Sequence, residues 1–67
     1  MKVTIVDVSW TMLANGANYA IDARDGSGEI RTFWTTDGWK ASVCRDNTNK
    51  AVDVRATPAG ELIWVSE

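Results

Sequence analysis

The chain has no histidine and a single cysteine, Cys44, among its 67 residues. Without histidine, the usual neutral-pH acid or base and the commonest metal ligand are both missing. Cys44 has no histidine to activate it, no second cysteine to bridge and no partners for a zinc site, so a buried, inert thiol is expected. With no disulfide framework, a small secreted scaffold is disfavoured and a reducing cytoplasm is the expected setting. No stretch approaches the ~20 apolar residues needed to span a bilayer. Met1-Lys2-Val3-Thr4-Ile5 alternates from the outset and lacks the apolar run of a signal peptide, so the chain reads as beginning at its native start, with no membrane contact. Like-charge runs are absent too, which excludes a charged tail or polybasic patch.

Catalytic and cofactor motifs are equally scarce. Asp22, Asp25 and Glu29 lie close together, but their spacing does not match a calcium loop, which places oxygen ligands at every second position. Gly26-Ser27-Gly28 could offer amides to a phosphate, yet it sits between two strand-like runs, where a hairpin turn is expected. No enzyme constellation emerges, and neither cofactor nor metal is expected.

What is present is apolar and aromatic. A 45% hydrophobic content with four tryptophans marks a folding chain, since disordered chains are poor in aromatics. The length allows one domain, 1–67, near the lower limit for folding unaided, so self-association into a homodimer is one route to added stability. The formal charge of −2 lacks the basic excess typical of nucleic-acid binders, which leaves the placement of individual basic residues to decide that question.

Along the chain, β-type alternation is broken by turn residues at short intervals. The first run, Lys2 to Trp10, starts with Val3 and Ile5 on one face and then changes phase, so that Val6, Val8 and Trp10 share a face. Such a phase change predicts a bulge or a sharp bend. Asn15-Gly16 marks a turn. The second run, Asn18 to Ala23, puts Tyr19, Ile21 and Ala23 on one side. Asp25-Gly26-Ser27-Gly28 then turns into a third strand, Glu29 to Thr35, which makes an antiparallel hairpin.

Asp37 is placed to cap a helix of one or two turns, with Trp39 and Val43 on one face. The fourth run, Lys50 to Thr57, points Val52, Val54 and Ala56 inward and Asp53 and Arg55 outward. Pro58-Ala59-Gly60 is a turn, and Glu61 to Val65 forms the fifth strand. Three strands, a short helix and two more strands predict a small all-β, five-stranded antiparallel barrel, since closure would remove exposed edges.

The stretch Tyr19-Ala20-Ile21-Asp22-Ala23-Arg24-Asp25-Gly26-Ser27-Gly28-Glu29-Ile30-Arg31-Thr32-Phe33-Trp34 resembles the second and third strands of single-strand-binding members of the oligonucleotide/oligosaccharide-binding (OB) fold. The middle-subunit domain of replication protein A is similar in this respect. The order of elements matches over most of the chain, and the motif over residues 18–35. Two features differ from those members: the helix is very short and the net charge is acidic. The resemblance implies an OB-like barrel binding single-stranded DNA or RNA across the outer face of strands two and three.

Neighbouring strand residues face opposite ways, so one of Phe33 and Trp34 is expected outside. Alternation places Arg31 with Phe33, and Ile30, Thr32 and Trp34 opposite. An outward Phe33 beside Arg31 would make a base-stacking platform with a phosphate partner. The candidate nucleic-acid-binding set is therefore Tyr19 and Phe33 for stacking, with Arg24, Arg31 and Arg55 for charge. Lys40 and Arg45 read as ordinary solvated charges. The competing reading is a protein-interaction module or small inhibitor or accessory factor, using an exposed aromatic patch or a strand edge. Against the stacking platform stands the plainer alternative that a loop partly covers Phe33 and Arg31 merely pairs with a nearby carboxylate such as Asp22 or Asp53.

Overall fold

The computed structural model describes residues 1–13 and 16–66. The chain runs β1 (Lys2–Leu13), β2 (Gly16–Arg24), β3 (Ile30–Thr35), α1 (Gly38–Asp46), β4 (Ala51–Ala56) and β5 (Leu62–Ser66). The turn expected at Asn15-Gly16 includes Asn15, which lies outside the described residues.

The strands form one five-stranded sheet in the order β3-β2-β1-β4-β5, with every laddered pair antiparallel. β1 is central because it serves two partners. Lys2–Thr4 pairs with β4, and Thr4–Leu13 pairs with β2. The register slips between Ile5 and Asp7, at the phase change legible in the sequence. Val6 is the extra residue of that bulge and is 40% exposed. Beyond the bulge Val8 pairs with Ile21 and Trp10 with Tyr19, which returns Val8 to the core side.

The core is built from Val3 and Ile5 of β1, Ile21 of β2, Phe33 of β3, Val52 and Val54 of β4, and Leu62 and Val65 of β5. Each such side chain stabilises the fold by roughly 1.5–3 kcal/mol on burial. α1 closes over this core with Ala41 and Cys44, one turn apart. Asp37 caps it, accepting a hydrogen bond of 2.9 Å from the Trp39 amide. The cap is as expected, but the face is not: Trp39 is 69% exposed, while Val43 only flanks the core. Burial pushes the Cys44 thiol up to about 11, consistent with an inert structural cysteine.

β3 and β5 lie at the two ends of the strand order, and among the described residues the chain just before β5 makes one backbone bridge to β3. A parallel bridge joins Trp34 to Glu61, and the Trp34 amide donates to the Gly60 carbonyl at 3.0 Å. The sheet is thus antiparallel and not closed by a ladder. Glycine suits this approach because Gly60 has a φ of +95°, which residues with a side chain rarely adopt. No helix among the described residues is long and apolar enough to cross a membrane.

Candidate functional site

The face of β2–β3 expected to carry the ligand is set by register. Ile21 lies opposite Phe33, and Ile21 is 1% exposed, so Phe33 is drawn into the core at 5% exposure. This corrects the expectation of an outward, stacking Phe33. Alternation did pair Arg31 with Phe33, but on the inner face. The outer face carries Ala20 with Trp34 and Asp22 with Thr32, whose hydroxyl donates to the Asp22 carboxylate at 2.7 Å. It also carries Asp7 directly opposite Asp22. Two carboxylates across a ladder repel each other and repel phosphate.

The basic residues of the expected set are occupied elsewhere. Asp25 folds the β2–β3 turn, accepting on Oδ1 from the Ser27 amide, the Ser27 hydroxyl and the Glu29 amide at 2.9, 2.6 and 3.1 Å. Its Oδ2 accepts from Arg31 Nε at 2.7 Å. That guanidinium, with Ser27, holds the Asp25 carboxyl well below the usual carboxylate range, and Asp25 in turn raises Arg31. Arg24 donates to the Gly28 carbonyl at 3.2 Å, so both arginines brace the turn. Arg55 lies over the Trp64 ring, 5.9 Å from its centroid. Of the five residues, Tyr19 sits at the opposite end of the β2–β3 ladder from Arg24 and Arg31, Phe33 is core, and Arg55 is on β4. They do not form one surface.

A different site gathers around Tyr19. Trp10 and Tyr19 pair across β1 and β2, and α1 faces them with Gly38, Ser42 and Arg45, leaving a groove of about 400 Å³. The helix presents these residues because Ala41 and Cys44 are turned to the core. Gly38 keeps the wall thin: a Cβ there would sit 3.4 Å from the Tyr19 hydroxyl. Trp10 is 56% exposed, and Tyr19 is half-buried against the core. Arg45 has no carboxylate partner among the described residues. The groove thus offers an aromatic floor, the Arg45 cation and the hydroxyls of Ser9, Tyr19 and Ser42, suited to a flat ring bearing a negative group. Its ionisable side chains are Tyr19 and Arg45. Among the described residues no three His, Cys, Asp or Glu side chains are placed to hold a metal ion.

From the sequence, Trp10 shares a face with Val6 and Val8 and Arg45 reads as a solvated charge, so neither belongs to the expected binding set. The signal that could have found them is spacing. Trp10 follows Val8 by one alternation, and Gly38, Ser42 and Arg45 recur at helical intervals.

Compared with protein-family models, curated proteins and solved structures, the chain matches none.

Proposed function

We propose that this chain is a small binding protein for single-stranded nucleic acid, with its bases stacked in the Trp10–Tyr19 groove and not on the outer face of β2–β3. The observation that carries this reading is the cross-strand Trp10–Tyr19 pair facing Arg45 over a groove of nucleotide-scale volume. Aromatic platforms beside a cation bind single strands because every base has a π-face and every link a phosphate. An OB-like barrel is the matching fold. It is supported by β1 lying between β2 and β4, and by the Trp34–Gly60 hydrogen bond that draws the outermost strands together. Tryptophan fluorescence titrated with a single-stranded oligonucleotide, at low and moderate salt, tests the reading. Saturable quenching that weakens with salt and is lost in Trp10→Phe supports it; flat titrations at both salts refute it.

A second reading rests on a separate feature. β4 and β5 slip register between Arg55 and Ala56, where Leu62 pairs with Ala56 and Trp64 with Arg55. Ile63 is the extra residue, and both Ile63 and Trp64 stay about half exposed, at 53% and 46%. A bulge that turns two consecutive apolar residues outward suits a protein-interaction patch. Size-exclusion with light scattering tests it for self-association: a dimer lost in Trp64→Ala favours this patch, and a monomer at high concentration removes the homodimer.

A further inference from the structure

We infer that the groove between the β1–β2 pair and α1 is a complete site for one nucleotide, taking one base on Trp10 and Tyr19 and one phosphate at Arg45. This rests on the groove being a nucleic-acid site and goes further, because it makes a free mononucleotide a sufficient ligand.

The first argument is size. At about 400 Å³ the groove lies near the lower end of small-molecule pockets, roughly 300–1,000 Å³, which is room for one nucleotide and not for a run of them.

The second is charge. Among the described residues, Arg45 is the one basic side chain lining the groove. Most of the other basic groups are engaged. Lys2 pairs with Asp53 at 3.3 Å, Arg31 with Asp25 at 2.7 Å and Lys40 with Asp37 at 3.8 Å. Arg24 is bonded to Gly28, and Arg55 lies on Trp64. Lys50 belongs to the loop whose carbonyl accepts from Ile5 beside the β1 bulge, outside the groove lining. A longer strand leaving the groove finds no basic track. On the opposite face of β1–β2 it meets Asp7 and Asp22. A multi-nucleotide binder needs a groove of cations that follows the backbone, and this surface has a single anchoring point.

The third is hydrogen bonding. The Ser42 hydroxyl lies one helical turn from Arg45, on the same wall as Gly38, whose missing side chain leaves space beside the Tyr19 hydroxyl. A base edge or ribose hydroxyl can be met there without a second cation.

The test is fluorescence quenching of the full chain by adenosine 5′-monophosphate, by adenosine, and by a single-stranded oligoadenylate of about ten nucleotides, each across a salt series. The expected result is that the mononucleotide binds within about tenfold of the oligonucleotide, and that the oligonucleotide's own salt slope lies near −0.7, the value for one phosphate neutralised on a single strand. Arg45→Gln should flatten that slope and bring the mononucleotide down to the affinity of adenosine. The far-ultraviolet spectrum of Arg45→Gln, an exposed position, verifies that the fold is kept. An oligonucleotide that binds about a hundredfold more tightly than the mononucleotide, or with a slope of several phosphates, overturns the one-nucleotide site and leaves the nucleic-acid reading standing. If neither ligand quenches, both fall.

Discussion

Trp10 of β1 and Tyr19 of β2 are direct cross-strand partners, on the same face as the Val8–Ile21 pair that enters the core. The pair therefore continues the core face past the point where the core ends. Tyr19 stays packed against the core and Trp10 projects beyond it, so the end of the β1–β2 hairpin presents an aromatic surface to α1. A rigid sheet holds both rings, which lowers the entropy lost when a flat ligand settles on them.

Trp10→Ala should separate binding from folding. With Trp10 56% exposed, the stability change should stay under about 1 kcal/mol by urea denaturation. Oligonucleotide affinity should fall by about 1–3 kcal/mol, the typical contribution of one stacked base. Unchanged affinity in a folded variant would exclude Trp10 from the site.

Gly60→Ala tests the turn before β5, where the Gly60 carbonyl accepts from the Trp34 amide of β3. The Gly60 φ of +95° is a backbone conformation that residues with a side chain rarely adopt, so alanine is strained there although a Cβ would have room. A loss of about 1 kcal/mol or more is expected, read as a lower denaturation midpoint at unchanged slope. Wild-type stability in this variant would mean that the turn relaxes to a φ that alanine accepts without cost.

The Asp25–Arg31 turn gives stability a defined pH response. Asp25 is held below its unfolded value of about 3.9, so its contribution is complete above that pH. It is lost as pH falls through the lower folded value. Asp25→Asn should therefore be less stable than wild type at neutral pH, and the gap should narrow as pH drops below about 4. Denaturation midpoints of the two proteins across that range would show it; a constant gap would rule out the carboxylate charge as the cause.

Cys44 should be silent in the native protein. With its thiol buried and pushed up to about 11, a colorimetric disulfide reagent at neutral pH should react negligibly until denaturant is added. Rapid native reaction would show that α1 opens readily from the sheet.

Much of the fold was legible because several residues each carry an unambiguous local signal. The adjacent Ile5 and Val6 announced the bulge in β1, Asp37 announced the helix start, and Val52-Asp53-Val54-Arg55 announced both faces of β4. The site was less legible, because its geometry depends on contacts between elements. Alternation shows that Phe33 and Trp34 face opposite ways, but only pairing with Ile21 decides which is inside. Leu62-Ile63-Trp64-Val65 is apolar throughout, so nothing local reveals that Ile63 is the extra residue. The exposure of Arg45 to the groove depends on which side of α1 meets the sheet, and the Trp39–Val43 spacing points to a different side from the Ala41–Cys44 side that is buried.

The most direct test of the binding groove is amide and indole chemical-shift mapping of the isotopically labelled chain, titrated with a single-stranded oligonucleotide. The expected shifts cluster on Val8 to Trp10, Tyr19 and the α1 residues Gly38 to Arg45, with the Trp10 indole N–H among the largest. Shifts confined to Arg24, Arg31 and the outer face of β2–β3, or to Ile63 and Trp64, or no shifts at all, would contradict it.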